Sequence, residues 1–161
     1  MNHKILVAYA SRAGSTAEIA AEIGKTLTNK GAQVDVLPIK EVADLSSYQS
    51  VVIGSAVRIG SWLPEAVKFI QTHKDILSRV PTSVFAVHIM NMENDEKSRA
   101  ARQMYLDPVR KLITPRKEAC FNGVGDLAKV SFIERMVGKM VKSAEGDFRD
   151  WNAIRAWAES L

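Results

Sequence analysis

A single cysteine, Cys120, is present among 161 residues, which excludes an internal disulfide and any multi-cysteine metal cluster. It sits in a strand-like run, where a buried, inert thiol is expected. No apolar run reaches the roughly 18 residues that span a bilayer, and the first strand passes into a polar loop without a signal-peptide core. The protein is therefore expected in the cytoplasm. No Ser/His/Asp constellation, His-x-x-x-His pair or carboxylate dyad stands out, so hydrolysis and a metal site have no support. Nucleic acid is not an expected partner, because no recognised motif and no aromatic-basic interleaving occurs. Repeats, low-complexity tracts and linkers are missing too. A single domain over 1–161 is the reading, long enough to bury a full core.

An acidic excess is also missing. Lys plus Arg number 22 against 18 for Asp plus Glu, a net charge of +4. Such a balance serves solubility and names no partner. It does argue against a surface built to dock on a basic reductase. Anionic lipid, an acidic protein or a carboxylate-bearing substrate suits it better.

What is present begins at residues 4–29, which read as strand, loop and helix in direct succession. Ile5-Leu6-Val7-Ala8-Tyr9-Ala10 is apolar without alternation, the pattern of a central strand covered on both faces. Ser11-Arg12-Ala13-Gly14-Ser15-Thr16 follows, and then Ile19, Ala20, Ile23 and Leu27 fall at helical spacing up to Lys30-Gly31. This order aims backbone N–H groups and a helix N-terminus at one point, which favours a phosphate. The loop is neither G-x-x-x-x-G-K-[S/T] nor G-x-G-x-x-G, so it offers no lysine for a β/γ-phosphate and no dinucleotide fingerprint. Its hydroxyls at Ser11, Ser15 and Thr16 suit a terminal monophosphate. The duller alternative is a polar turn in which Ser15 or Thr16 merely caps the helix.

Strand-like runs recur at 33–37, 51–56, 83–89 and 119–124, with helical patterns between them. The second helix is expected to take Ser61 as N-cap and Pro64 in its first turn, with Leu63, Ala66, Val67 and Ile70 inward. Residues 94–113 carry Ala100, Met104 and Leu112 among many charges and read as a weaker, partly exposed helix. The alternation predicts right-handed crossovers and a doubly wound parallel sheet. Two helical segments follow the last strand. In 131–142, Ile133, Met136, Val137, Met140 and Val141 share a face, suited to a membrane surface, a second subunit, a bulky apolar substrate or the chain's own domain. In 150–161, Asp150 is an expected N-cap and Trp151, Ile154, Trp157, Ala158 and Leu161 share another face.

The pattern [S/T]-x-x-G-[S/T/N]-T after a first strand resembles the flavodoxin family, and Ser11-Arg12-Ala13-Gly14-Ser15-Thr16 matches it. Residues 51–64 resemble that family's third strand and the loop flanking its flavin ring. Together with the tail Gly146-Asp147-Phe148-Arg149-Asp150-Trp151, they are similar to the branch containing menaquinone-dependent protoporphyrinogen dehydrogenase. The resemblance implies a five-stranded parallel sheet of order 2-1-3-4-5 with helices on both faces, and FMN as cofactor. It implies a redox partner protein, quinone or porphyrinogen for an FMN-dependent oxidoreductase, or else a flavodoxin-type electron carrier with no substrate of its own. The phosphate falls to residues 11–16. The ring falls to Ala56, Val57, Arg58, Ile59, Gly60 and Trp62 in one loop and to His88, Ile89, Met90, Asn91 and Met92 in another. Trp62, the one aromatic in those two loops, is a candidate to stack on the ring or to pack at the surface. Arg58 is a candidate cation beside the flavin or a solvent-facing side chain. His88 either contacts the flavin and moves a proton or is held by backbone carbonyls.

Overall fold

The computed structural model describes residues 3–12, 14–125 and 146–161. β1 (Lys4–Ala10) lies between β2 (Gln33–Pro38) and β3 (Ser50–Arg58), and β5 (Thr82–His88) and β6 (Glu118–Asn122) continue beyond β3. All five run parallel, so the order 2-1-3-4-5 holds with β5 and β6 as fourth and fifth. The absence of alternation in β1 has a direct cause. Leu6 and Ala8 face one layer while Ile5 and Val7 face the other, and each side is covered.

On one face, α2 (Pro64–Thr72) brings Ala66, Phe69 and Ile70 against Leu6, Ile53 and Val84. A short α3 (Lys74–Leu77) follows it and buries Leu77. On the other face, α1 (Ser15–Asn29) and α6 (Trp151–Glu159) place Ile19, Ile23, Ile154 and Ala158 over Val7, Val52, Phe85 and Phe121. α1 ends where its sequence stop predicts. The Ala32 N–H bonds the Leu27 carbonyl and the Gly31 N–H the Thr28 carbonyl, with Gly31 at φ 100. α6 begins as expected, the Asp150 carboxylate accepting from the Ala153 N–H at 3.0 Å.

Three expectations need correction. Ser61 caps no helix: it belongs to β4 (Ser61–Trp62), which turns back antiparallel on the end of β3, and Leu63 occupies the cap position of α2. The stretch 94–113 is not one helix. α4 (Glu96–Met104) stops, and α5 (Asp107–Arg110) restarts with Pro108 in its first turn; inside a continuous helix Pro108 would leave the Met104 carbonyl without a donor and clash with it. Burial there falls on Tyr105, Leu106, Val109 and Ile113, whereas Met104 is 64% exposed and Ala100 faces solvent. The fifth strand closes at Asn122, because Val124–Gly125 (β7) pairs instead with Gly146–Asp147 (β8) in a separate antiparallel ribbon. The expected helix 131–142 lies outside the described residues. Among the described residues, no helix is long and apolar enough to cross a membrane.

Candidate functional site

In an open parallel sheet, ligands bind beyond the carboxyl ends of the strands, where the strand order reverses. Here that point is the carboxyl end of β1 and β3, bordered by the loops that leave β1, β3 and β5.

The loop after β1 is held open by its glycine. Gly14 is the N-cap of α1 at φ 93, a conformation costly for a side chain with Cβ, and no side chain caps the helix. Ser15 and Thr16 therefore do not spend their hydroxyls on capping. The Ser11 hydroxyl accepts from the Gly14 N–H at 3.0 Å, which leaves its own proton available to donate. Thr16 is fully buried in the first turn of α1, and its hydroxyl has no partner among the described residues. Arg12 turns sideways, its guanidinium paired with both carboxylate oxygens of Glu65 in the first turn of α2. That hydrogen bond holds the Glu65 carboxyl below its usual range. Ala13 lies outside the described residues.

The loop after β3 is a tight hairpin. Ile59 and Gly60 both have positive φ, 52 and 75, as a two-residue turn of the mirror-image type requires. For β-branched Ile59 this conformation costs about 1–2 kcal/mol, and its side chain stands 77% exposed at the tip. The buried Ser55 hydroxyl closes the base, donating to the Ala56 carbonyl at 2.8 Å and accepting from the Leu63 N–H at 3.0 Å. Arg58 is half-buried at the end of β3. Trp62 is not a surface residue. It is 2% exposed and packs into the core under α2, with its indole N–H lacking an acceptor among the described residues.

The loop after β5 is held from within. His88 is 3% exposed, and its Nδ1 donates to the Met90 carbonyl at 2.8 Å. A backbone carbonyl therefore does hold it, while its buried Nε2 has no partner among the described residues. Burial, and then the nearby Arg102 charge, lowers the His88 pKa against the raising effect of that hydrogen bond. Asn91 takes a left-handed conformation at φ 57. Ile89, Met90, Asn91 and Met92 are all half-buried.

Thr16 Oγ1, Trp62 Nε1 and His88 Nε2 are buried side-chain atoms without a partner among the described residues, and each belongs to an element that borders one of these three loops. Unpaired buried polar atoms are uncommon in native proteins and call for an explanation, often at a functional site. A phosphate held by the hydroxyls of the first loop would give Thr16 its missing acceptor. The residues present thus fit a phosphate-bearing ligand.

Residues 6–152 match the family model described as Flavodoxin domain. The chain belongs to the flavodoxin family. Membership implies a flavin site, and the flavodoxin-like fold agrees with it. Solved flavodoxins are similar across nearly the whole chain. One from Streptococcus pneumoniae superimposes with a TM-score of 0.62 at 18% identity, covering 98% of this chain and 97% of that one. One from the domain Archaea gives 0.55 at 16% identity, covering 97% and 99%. Among curated proteins, the protoporphyrinogen IX dehydrogenase [quinone] of Leishmania major is 24% identical over 98% of this chain and 74% of its own length. The Escherichia coli K12 enzyme of the same name is 26% identical over 59% of this chain, a match spanning about half (54%) of that relative.

Two sets of ion pairs were not read from the sequence. Glu65 holds Arg12, and its place in a first helical turn was the one available signal. Arg149 forms ion pairs with Asp147 at 2.7 Å and with Glu18 in the first turn of α1, and its guanidinium lies 4.6 Å from the Trp151 ring centroid. Cys120 is half-buried, and burial pushes its thiol up to about 11, so it stays protonated and unreactive at neutral pH.

The lowered His88 pKa predicts a pH dependence of stability. The unfolded chain takes up a proton near pH 6.5, whereas the folded site resists it, so stability is full above that pH and falls below it. The ligand-free protein should therefore melt lower at pH 5.5 than at 7.5, and His88→Asn should flatten this difference. The Asp147 carboxyl, held at about 2 against 3.8 by Arg149, loses its contribution only at much lower pH. Equal slopes in wild type and variant would assign the dependence to other groups.

Proposed function

We propose that this chain is an FMN-dependent oxidoreductase that exchanges electrons with a quinone or a porphyrinogen. The observation that carries the cofactor is the buried, unpartnered Thr16 hydroxyl, set beside Ser11 and Ser15 in a loop with one glycine. Three hydroxyls around one anion suit the monophosphate of FMN, and the loop has no second glycine for a pyrophosphate to approach. The similarity to quinone-linked protoporphyrinogen IX dehydrogenases supports the reaction class.

When bound, the flavin supplies the electron-transfer chemistry. The chain's part is to hold and tune it. Ser11, Ser15 and Thr16 would take the phosphate, with the α1 N-terminus behind them. The 58–61 hairpin and the 88–92 loop would border the ring. Buried, neutral His88 keeps a second positive charge away from that edge, leaving Arg58 as the cation of the ring-side loops. Arg58→Ala should accordingly lower the flavin midpoint potential or weaken an anionic substrate, with the melting temperature nearly unchanged. A variant that melts several degrees lower at an unchanged midpoint would mark Arg58 as structural.

The second reading is a plain electron carrier, favoured by the near-complete coverage of small flavodoxins. The visible spectrum of the purified protein tests the cofactor. Turnover of protoporphyrinogen with a quinone, compared with reduction by a flavodoxin reductase, separates enzyme from carrier.

A further inference from the structure

We propose that Tyr105, with Arg102 one turn before it, is a positioning residue that decides which edge of the 88–92 loop faces the ligand. The proposal rests on the flavin reading and extends it to α4, outside the three loops.

Tyr105 is 3% exposed at the break between α4 and α5, and its ring lies 5.4 Å from the His88 ring centroid. The Met90 carbonyl accepts from His88 Nδ1 at 2.8 Å and from the Tyr105 hydroxyl at 3.4 Å. The Asn91 side-chain amide donates to the Tyr105 oxygen at 2.7 Å. Arg102 Nη1 donates to the Asn91 carbonyl and, at 2.9 Å, to the Glu93 carbonyl. Successive carbonyls of the loop are thus drawn to the α4 side by buried or half-buried donors.

A trans peptide unit is planar, and its C=O and N–H point in opposite directions. Holding the Met90 carbonyl toward His88 and Tyr105 turns the Asn91 N–H away from α4. Holding the Asn91 carbonyl on Arg102 does the same for the Met92 N–H. Asn91 tolerates the left-handed backbone that joins these two units better than most residues would. The loop then presents fixed N–H donors to a ligand edge rich in carbonyl acceptors, such as the pyrimidine edge of a flavin. Preset donors bind more tightly than mobile ones, because their ordering cost is met in the free protein.

Riboflavin and FMN share that ring edge and differ in the phosphate, so their affinities, read by flavin fluorescence quenching, separate the two ends of the site. Tyr105→Phe keeps the ring and removes the hydroxyl. Both flavins should weaken by the same factor, about three- to tenfold, the scale of one hydrogen bond. The ligand-free melting temperature should move by no more than a few degrees. If Tyr105→Phe does not fold, Arg102→Gln carries the same expectation from a half-buried position. Unchanged affinities in a folded variant, a loss confined to FMN, or a lower melting temperature with intact binding each overturn the proposal. Wild-type protein that binds neither flavin overturns the cofactor reading itself. Wild-type binding with an unaffected variant overturns only the role of Tyr105.

Discussion

Phe85→Ala is expected to destabilise the protein by about 3–5 kcal/mol, the range for a fully buried phenylalanine. For a domain of this size that corresponds to a fall in melting temperature of roughly 6–20 °C. Phe85 has no exposed surface and sits at the centre of the face covered by α1 and α6. Its ring meets Phe121 at 6.0 Å and Trp157 at 6.1 Å between centroids, and those two meet edge-on at 5.7 Å. The ring also lies across the neighbouring strand, over its register partner Gly54. A Cβ on Gly54 would stand 2.0 Å from the ring, so the glycine is what lets the phenylalanine lie flat. Gly54→Ala should therefore cost about 1–3 kcal/mol alone, as overpacking does, and much less once Phe85 is alanine. Denaturant unfolding of the two single variants and the double variant tests this coupling. Strictly additive losses would mean the two residues do not share that space.

Thr16→Val should act on binding and on stability in opposite senses. Valine keeps the volume and removes a buried hydroxyl without a partner, so the ligand-free protein should be as stable as wild type or more so. FMN should bind about 1–3 kcal/mol more weakly, roughly five- to 150-fold, the scale of a hydrogen bond to a charged group. Riboflavin, which lacks the phosphate, should bind as before. Titration of both flavins with thermal melts gives the three readings. Equal FMN affinity in wild type and variant would put the phosphate elsewhere.

The strands were legible because burial on both faces leaves unbroken apolar runs, and β1, β3 and β5 fall where those runs lie. The phosphate loop was legible because strand, small polar residues and helix follow without interruption. The 58–61 hairpin was not. A two-residue turn usually announces itself with Asn-Gly or Asp-Gly, and here β-branched Ile59 takes the left-handed position. The burial of Trp62, which overturns its surface alternative, was hidden for the same reason: the reversal at Gly60 sends its ring into the core. The clamp of His88, Tyr105 and Arg102 joins positions far apart in the chain, and no local periodicity encodes such a contact. The break before Pro108 carried a signal, since proline cannot donate to the carbonyl four residues back, yet the charged stretch around it read as continuous.

The ribbon of Val124–Gly125 with Gly146–Asp147 has a consequence for engineering. Gly125 and Gly146 are cross-strand partners, and the Phe148 N–H bonds the Gly123 carbonyl at 3.1 Å, so the chain returns to the place it left. Partners of this kind stand about 5 Å apart, a gap that a two-residue turn bridges. An Asn-Gly splice in place of residues 126–145 therefore joins the two strands without moving either end. Closure entropy changes slowly with loop length, so the shorter connection by itself adds little to the cost of folding. Such a spliced chain, compared with the full chain in flavin binding and then in turnover with a quinone, tells which of the two needs residues 126–145.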